Sequence, residues 1–473
     1  MNMVNNQLEG SFFFSSLTDK NQFQSFPSFK QWFTAHCKPE EFRVETVRLD
    51  ALEKWCFDTE RTRLAHESGR FFSIEGIHVE TNFNGGQSWD QPIINQPEIG
   101  ILGFITKVFN GVRYFLMQVK MEPGNINTLQ ISPSLQATKS NFTMVHKGKR
   151  PAYLEFFNGE KRVKVLTDCL QTEQGGRFLR KRNRNIVIEI EDDIEVRDEF
   201  CWLTMYELKK LIRCDNVLNM DTRSVLSTSP LIKEVSPSVI CKDISILNSL
   251  NLSDLGKKYV NSYITNNSCN SIDQIVSWYT QQKVDFEMSV TKKSLSKLEG
   301  WRITDYTIEN SERYFSVIGV KVSAGTREVS SWMQPLIKDD EIGMLAFAVK
   351  EINNVLHFLV QAKAEPGNID IVELSPSVSC SNYEYVMTQQ VRPFLFDEML
   401  NPANTILYDN LQSEEGGRFF KVQNRNMIVL INKEIELPSN YIWMTLRQAK
   451  EFMRCGMFNI EARSIISSIA FTD

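Results

Sequence analysis

Two runs of apolar and β-branched residues, 99–109 and 112–121, flank Asn110-Gly111. An Asn-Gly pair between such runs is a strong signal for a two-residue hairpin turn. Residues 185–190, NIVIEI, follow the period of a strand. Thr204 and Glu207 precede the segment LKKLIRC at 208–214 with the spacing of a helix capping box. These elements predict an α+β domain with a mixed or antiparallel sheet and flanking helices.

The pattern occurs twice along the chain. The segment QVKMEPGNIN at 118–127 matches QAKAEPGNID at 361–370, and LQTEQGGRF at 170–178 matches LQSEEGGRF at 411–419. The hairpin turn recurs as Asn353-Asn354, and the capping box recurs from Thr445 to Gln448. We therefore predict a tandem duplication. The predicted parts are an N-terminal extension at 1–29, repeat 1 at 30–228, a connector at 229–272 and repeat 2 at 273–473.

Composition narrows the class of protein. A chain of 473 residues with 42% hydrophobic residues has ample material for two packed domains, and its net charge of −5 does not favour nucleic-acid binding. The sequence shows no secretory signal pattern and no apolar run long enough to span a membrane. Nine cysteines without a CxxC pair predict free thiols in a reducing compartment, so we expect a cytoplasmic protein.

A polar stripe ends one predicted strand in each repeat. Gln118, Lys120 and Glu122 are two residues apart, so their side chains share one face of the strand, just before Pro-Gly-Asn. A lysine beside a glutamate tunes the pKa of either group, and a carboxylate is a competent general base. A solvent-facing strand edge closed by a turn would give the same pattern. The recurrence of the same polar residues in repeat 2, at Gln361, Lys363 and Glu365, favours a functional interpretation.

The second shared motif contains two glycines and an arginine. Glycines permit close backbone approach to a ligand, and arginine suits bidentate contact with a phosphate. In repeat 1 a basic cluster that includes Arg184 follows this motif and could hold a diphosphate. A turn with a surface arginine, a solvated charge run and a nucleic-acid patch are the alternatives.

Several kinds of site are not indicated. The five histidines have no metal-ligand spacing, which disfavours a histidine-based metal site. No GxGxxG motif after a strand, no Walker A motif and no GxSxG motif is found. The sequence thus disfavours a nicotinamide cofactor, a P-loop nucleotidase and an α/β-hydrolase.

These motifs together resemble the NDP-hexose 2,3-dehydratases, which act on dTDP-4-keto-6-deoxyglucose. The resemblance rests on the EPGN, SPS, GGRF and NRN segments, on WLTMYEL at 202–208 and on the closing Arg-Ser pair. The resemblance covers essentially the whole chain. It implies two Nudix-like mixed-sheet domains with flanking helices, a homodimer, and no metal or redox cofactor. It implies loss of the C2 hydroxyl to give a dTDP-3,4-diketo-2,6-dideoxy sugar, which a separate NADPH-dependent 3-ketoreductase would reduce. The Glu-rich box of Nudix hydrolases is absent, so the likeness is one of fold.

The resemblance gives the reaction, and the roles of individual residues are hypotheses from their chemistry. Glu122 or Glu365 would be the base that removes the C3 proton, with Lys120 or Lys363 stabilising the enolate. Tyr153 would donate a proton in repeat 1, where repeat 2 has Phe394, and this difference favours repeat 1 as the catalytic unit. The remaining candidates for substrate binding are Gln118, Asn125, Ser132, Asn141, Gln171, Gly175, Gly176, Arg177, Arg184, Gln361, Asn368, Ser375, Asn382, Gly416, Gly417, Arg418 and Arg425.

Two other functions remain open from the residues. A non-catalytic sugar-nucleotide-binding protein would use the same arginines and aromatic residues. A Nudix-type nucleoside-diphosphate hydrolase would need a divalent metal and a Glu-rich helix.

Overall fold

The computed structural model describes residues 10–138, 150–231, 250–310, 315–325 and 330–472. These ranges form a mixed α+β structure that consists mostly of sheets, with few helices, which confirms the predicted class. Within them, no helix combines the length and the apolar character needed to cross a membrane.

The first half of the chain begins with two helices and continues as twelve strands and two further helices. These are α1 (Phe12–Leu17), α2 (Phe26–His36), β1 (Phe42–Val47), β2 (Trp55–Phe57), β3 (Arg63–His66), β4 (Ser73–Thr81), β5 (Gln87–Asn95), β6 (Gly100–Phe109), β7 (Val112–Met121), β8 (Leu129–Ser132), β9 (Leu135–Ala137), β10 (Lys164–Thr172), β11 (Arg182–Glu189), β12 (Phe200–Thr204), α3 (Met205–Leu211) and α4 (Met220–Thr228).

The second half repeats this order with small additions. Its elements are α5 (Asp254–Ile264), α6 (Ile272–Asp285), β13 (Met288–Lys293), β14 (Trp301–Ile303), β15 (Thr307–Asn310), β16 (Phe315–Ala324), β17 (Ser331–Asp339), β18 (Gly343–Ile352), β19 (Val355–Ala364), β20 (Val372–Ser375), β21 (Val378–Cys380), α7 (Tyr383–Thr388), α8 (Phe396–Leu400), β22 (Thr405–Ser413), β23 (Phe419–Phe420), β24 (Gln423–Leu430), β25 (Tyr441–Thr445), α9 (Leu446–Arg454) and α10 (Ile460–Ile466).

The local signals in the sequence are confirmed. Strands β6 and β7 form the predicted hairpin, with φ of 49° at Asn110 and 80° at Gly111. Positive φ at both central residues is what a type I′ turn requires. Both capping boxes are present: the Thr204 hydroxyl accepts from the Glu207 N–H, and the Glu207 carboxylate accepts from the Thr204 N–H. Thr445 and Gln448 make the same pair of bonds in repeat 2.

Each repeat contributes a seven-stranded sheet that splits at one end. In repeat 1, β6 and β7 pair over Ile105–Phe109, and beyond that point β9 pairs with β6 while β8 pairs with β7. Ser134 bridges the diverging strands, because its hydroxyl accepts from the Ile105 N–H at 2.8 Å and donates to the Leu116 carbonyl. Ser377 makes the equivalent bonds in repeat 2. The split lies beside the end of β7, where the polar stripe lies.

Two smaller sheets join the repeats. Strand β1 of repeat 1 pairs with β16 of repeat 2, and β13 of repeat 2 pairs with β4 of repeat 1. An apolar cluster fills the space between these sheets and includes Trp55, Phe178, Trp301 and Phe419 from both repeats. The repeats therefore exchange strands and share a core, and this arrangement brings their polar motifs together.

Candidate active site

The polar stripe occupies the end of β7 in repeat 1 and the end of β19 in repeat 2. In β7, the Lys120 ammonium lies 3.1 Å from Glu122 Oε1, and in β19 the Lys363 ammonium lies 2.9 Å from Glu365 Oε1. Gln118 and Gln361 precede these pairs on the same faces. Both glutamates are buried, and both lysine side chains keep about a fifth of their surface exposed, at 22%. Each pair can therefore meet a ligand through the lysine.

An asparagine closes the turn after each glutamate. The Asn125 amide donates to the carbonyls of Lys120 at 3.2 Å and Thr128 at 3.1 Å. The Asn368 amide donates to the Ile371 carbonyl at 3.0 Å. Both side chains are buried. We expected Asn125 and Asn368 to bind substrate, but their donors are engaged in shaping the turn.

The Glu-Pro-Gly-Asn turn of each repeat docks against the Gly-Gly-Arg loop of the other. The Gly124 N–H donates to the Gly416 carbonyl at 2.7 Å, and the Lys421 N–H donates to the Gly124 carbonyl at 2.9 Å. The Gly367 N–H likewise donates to the Gly175 carbonyl at 2.7 Å. The two motifs that the sequence places about 50 residues apart within a repeat thus meet in space across the repeats.

Close backbone approach explains the glycines in these two motifs. A Cβ atom on Gly124 would lie 1.5 Å from the Phe419 carbonyl oxygen, and one on Gly416 would lie 2.1 Å from Asn125 Oδ1. The reciprocal positions, Gly367 and Gly175, are equally crowded at 1.8 and 1.9 Å. Any side chain at these positions would force the turn and the loop apart.

We call the first assembly cluster 1. It contains Lys120, Glu122, Gln136 and Asp221 from repeat 1 together with Glu415, Gly417 and Arg418 from repeat 2. The Gln136 amide donates to Glu122 Oε1 at 3.1 Å, and the Asn219 amide donates to Gln136 Oε1 at 3.1 Å. A Cβ atom on Gly417 would lie 3.8 Å from Glu122 Oε1, so the loop reaches the carboxylate.

Cluster 2 is the reciprocal assembly. It contains Lys363, Glu365, Ser379 and Glu461 from repeat 2 together with Gly176 and Arg177 from repeat 1. Here the Lys363 ammonium has a second carboxylate, Glu461, at 3.5 Å, and it donates to the Ser379 hydroxyl at 3.0 Å. Glu461 also accepts from Asn459 at 2.9 Å. In cluster 2, Glu461 and Ser379 therefore add further partners to the Lys–Glu pair.

The two loop arginines differ in what they face. Arg418 stacks on Phe72 with its guanidinium carbon 4.2 Å from the ring centre, and its Nε donates to the neutral Gln96 amide oxygen at 3.2 Å. Arg177 stacks on Phe315 at 3.8 Å, and its guanidinium lies 3.9 Å from the Asp339 carboxylate. Burial raises the pKa of Asp339 to about 6, although Arg177 opposes this shift. The side chain that Arg418 bonds is thus neutral, whereas Arg177 lies beside the Asp339 carboxylate.

Burial governs the acid–base behaviour of both clusters. It raises the pKa of Glu415 in cluster 1 to about 7, against the opposing effect of Arg418. It also raises the pKa of Glu365 in cluster 2, where Glu461 adds to the shift and Lys363 opposes it. Burial alone would lower the pKa of Lys363, but the carboxylates of Glu365 and Glu461 raise it overall. Lys363 is therefore firmly held as a cation.

Tyr153 packs beneath the sheet and is not part of cluster 1. Its hydroxyl donates to the Glu195 carbonyl at 2.7 Å and accepts from the Arg197 N–H at 3.2 Å, and its ring lies 4.9 Å from that of Phe200. In repeat 2 the pair is reversed, with Phe394 against Tyr441, whose hydroxyl donates to the Ser377 carbonyl at 3.1 Å. The Tyr153–Phe394 difference is therefore a compensated exchange in packing, which removes the basis for using it to choose the catalytic repeat.

Other predicted binding residues have structural partners. Arg184 forms a bidentate pair with Asp168 at 2.8 and 2.6 Å, and Arg425 forms the same pair with Asp409. The Gln171 amide donates to the Met453 carbonyl at 2.6 Å, which joins the repeats. Gln412 makes the reciprocal bond to Ile212 at 2.8 Å.

The remaining predicted residues are a serine and an asparagine in each repeat. The Ser132 hydroxyl donates to the Gln118 carbonyl at 3.3 Å, and Ser375 is buried in β20. Asn382 caps helix α7, because its side chain accepts from the Tyr385 N–H at 2.8 Å. Asn141 lies outside the described residues.

Sequence reasoning missed Asp221 and Glu461. Both stand in an Asn-x-acid-x-Arg-Ser segment, at 219–224 and 459–464, of which we had noted only the Arg-Ser end. The arginine of each segment supports the opposite loop: Arg223 donates to Gln412 Oε1 at 2.8 Å, and Arg463 donates to the Thr172 carbonyl at 2.6 Å. The full repeated segment was the signal that would have revealed these residues.

Comparison with known proteins agrees with this arrangement. The family model for NDP-hexose 2,3-dehydratase matches residues 27–228 and again 272–469. The chain belongs to the NDP-hexose 2,3-dehydratase family. It is 41% identical over 448 residues to the dTDP-4-dehydro-6-deoxy-alpha-D-glucopyranose 2,3-dehydratase of Saccharopolyspora spinosa, which covers 93% of this chain and 90% of that protein.

Two further relatives carry the same name. The protein from Amycolatopsis orientalis is 37% identical over 449 residues, covering 93% of this chain and 89% of the relative. The protein from Streptomyces violaceoruber is 38% identical over 447 residues, covering 93% and 96%. Membership of the NDP-hexose 2,3-dehydratases therefore extends over both repeats, including the motifs that build clusters 1 and 2.

Proposed function

We propose that the chain removes the C2 hydroxyl of dTDP-4-keto-6-deoxyglucose as water and releases a dTDP-3,4-diketo-2,6-dideoxy sugar, and that cluster 1 performs this reaction. The substrate follows from the names of three relatives that match over nearly the whole chain. The assignment of the reaction to cluster 1 is supported by the Lys120–Glu122 ion pair at 3.1 Å, which lies beneath the Gly416-Gly417-Arg418 loop of the other repeat.

The proposed chemistry begins at C3. The C4 ketone acidifies the C3–H bond, and the Glu122 carboxylate takes this proton. The electron pair forms an enolate, and the Lys120 ammonium stabilises its oxygen. When the C4 carbonyl re-forms, a C2–C3 double bond develops and the C2–O bond breaks. The resulting 3-hydroxy enone tautomerises to the diketone.

The loop supplies the groups that would bind the diphosphate. Gly416 and Gly417 bring backbone close to the carboxylate, and Arg418 provides a planar cation for phosphate oxygens. Arg418 bonds the neutral Gln96, whereas the Asp339 carboxylate beside Arg177 opposes the approach of an anion. This difference favours cluster 1 for productive binding.

We further propose that cluster 2 binds sugar nucleotide without turnover. It keeps the Lys–Glu pair and the Gly-Gly-Arg loop, but Glu461 and Ser379 occupy the hydrogen-bonding capacity of Lys363. A lysine held in this way is poorly able to stabilise a developing enolate.

The test compares Glu122→Gln with Glu365→Gln, a matched pair of substitutions at equivalent positions. We expect Glu122→Gln to lower turnover by about 100-fold or more, as for loss of a general base, and Glu365→Gln to lower it much less. Turnover is followed as loss of the C2 oxygen from dTDP-4-keto-6-deoxyglucose, with and without a 3-ketoreductase. An equal loss in both variants would refute the single-site model, and no loss in either would refute the glutamate base.

Three wider features belong to this proposal. We propose that each repeat has a Nudix-like fold, that the enzyme is a homodimer, and that an NADPH-dependent 3-ketoreductase consumes its unstable diketo product. Sedimentation of the purified chain tests the oligomeric state. Accumulation of a reduced sugar nucleotide only when the reductase and NADPH are present tests the coupling. Cytoplasmic location stays a prediction.

A further inference from the structure

Asp221 is a buried acid with no direct partner in cluster 1. It stands in the first turn of α4, two residues after the capping residue Asn219, and its exposed fraction is 3%. Its carboxyl makes no hydrogen bond or ion pair with any residue that the structure describes, although buried polar groups are usually bonded. An acid in this position can act on a molecule that enters the cluster.

The charges around Asp221 favour its neutral form. Burial raises the pKa of Asp221 well above its ordinary value, and the carboxylates of Glu415, Glu173 and Glu122 raise it further. Lys120 is the cation that opposes them. The raised pKa therefore favours the protonated form of the Asp221 carboxyl.

The equivalent residue in cluster 2 behaves differently. Glu461 is one methylene longer than Asp221, and it reaches Lys363 at 3.5 Å, Ser379 at 3.3 Å and Asn459 at 2.9 Å. At the Asp221 position the shorter side chain stops outside ion-pair distance of Lys120. In cluster 1 the acid and the lysine thus form no ion pair, while in cluster 2 Glu461 pairs directly with Lys363.

We propose that Asp221 is the acid that protonates the C2 hydroxyl as it leaves. This inference rests on the proposed dehydration at cluster 1 and assigns the one proton donor which that reaction still needs. The hydroxyl of Tyr153, the donor expected from the sequence, is already engaged with the backbone of Glu195 and Arg197.

The step balances in atoms and charge. Glu122 gains the proton from C3, the C2–O bond breaks with its electron pair on oxygen, and the Asp221 proton converts the departing hydroxide into water. The enzyme is then left with a protonated Glu122 and an ionised Asp221. Transfer of one proton between these two carboxyls through water restores both groups, so the reaction needs no oxidant, reductant or other reactant.

The experiment uses a leaving group that needs no proton. Wild type and Asp221→Asn are assayed with dTDP-4-keto-6-deoxyglucose and with its analogue in which fluorine replaces the C2 hydroxyl. We expect Asp221→Asn to lower water elimination by about 100-fold or more, as for loss of a general acid, while fluoride release stays within a few-fold of the wild-type rate. Equal losses with both substrates, in a variant with the wild-type melting temperature, would overturn the proposal.

Two control variants separate the possible causes. Asp254→Asn also removes a carboxylate from the first turn of a helix, but Asp254 is exposed and pairs with Lys257. It is expected to keep wild-type rates with both substrates. Glu122→Gln is expected to lose both water and fluoride release. Wild-type enzyme that releases neither, or Glu122→Gln that releases fluoride at the wild-type rate, would refute the proposed function itself.

A pH profile of the wild-type enzyme covers the case in which Asp221→Asn fails to fold. Water elimination should fall as pH rises through the raised pKa of Asp221, because the proton is lost, while fluoride release should lack this decline. The neighbouring Glu122, Glu173, Glu415 and Lys120 affect both substrates alike. An alkaline decline of the same size for both substrates would overturn the role of Asp221.

Discussion

Arg418 and Arg177 occupy the same place in their repeats but have different partners. Each stacks on a phenylalanine of the opposite repeat, yet Arg418 bonds a neutral glutamine and Arg177 lies beside a carboxylate. A single residue difference, Gln96 against Asp339, therefore changes the charge that an incoming diphosphate meets. Divergence between duplicated sites can thus begin in a residue that does not belong to the shared motif.

Arg418→Met should weaken binding of dTDP at the catalytic site. A charge-assisted hydrogen bond contributes about 1.5–3 kcal/mol, so we expect the inhibition constant of dTDP to rise by about 10- to 100-fold. Arg177→Met, the matched substitution in the other loop, should raise it much less. The measurement is competitive inhibition of turnover by dTDP. A larger effect of Arg177→Met would argue that cluster 2 is the catalytic one.

At the scale of elements, the critical contact joins a turn to a loop. The Glu-Pro-Gly-Asn turn orients the glutamate, and the Gly-Gly-Arg loop of the other repeat covers it through the bond from Gly124 to Gly416. Arg223 supports this loop from repeat 1 by bonding Gln412 and Ser413 at the end of β22. The position of the loop over Glu122 is therefore set by backbone contacts as much as by side chains.

Gly416→Ala should disrupt this contact. The new Cβ would lie 2.1 Å from Asn125 Oδ1, so we expect overpacking to lower the free energy of unfolding by about 1–3 kcal/mol, with a marked loss of turnover. Gly325→Ala is the control, since its Cβ would meet only Glu41 at 3.5 Å or more and should change stability by less than about 0.5 kcal/mol. Urea unfolding and steady-state assays provide both measurements. Wild-type turnover in Gly416→Ala would contradict the docking model.

At the scale of the whole molecule, the repeats are interlocked. Strand β1 completes a sheet of repeat 2, β13 completes a sheet of repeat 1, and each cluster takes its loop from the other repeat. An isolated repeat would expose sheet edges and the apolar surface around Trp55 and Trp301. The duplication therefore works as one unit with two sites.

Fragment complementation tests this interdependence. Residues 1–240 and 241–473, expressed separately, should each lack turnover, because each lacks a strand and the loop that completes its cluster. Co-expression of the two fragments should restore turnover, and Arg418→Met in the second fragment should lower it, which would show the contribution in trans. Turnover by residues 1–240 alone would contradict the composite site.

Much of the local structure was predictable from the sequence. The hairpin at Asn110-Gly111, the capping boxes and the pairing of Lys120 with Glu122 depend on residues at most a few positions apart, so local spacing reports them. The duplication was predictable as well, because matching polar segments recur at a nearly constant offset. These features identified both repeats and the family they resemble.

The grouping of these motifs was decided only by the tertiary structure. Glu122 meets the loop at Gly417 rather than the equivalent loop of its own repeat, Asp221 joins the cluster from a helix a hundred residues downstream, and Asp168 neutralises Arg184. Contacts between residues so far apart in the chain leave no periodic signal in the sequence. Because each motif occurs in two nearly identical copies, the sequence also does not show whether a motif contacts the copy in its own repeat or the copy in the other repeat. The sequence by itself determined which chemical groups the protein has. Strand exchange between the repeats decided which of them share a site, because the burial of the shared core fixes how the two halves pack.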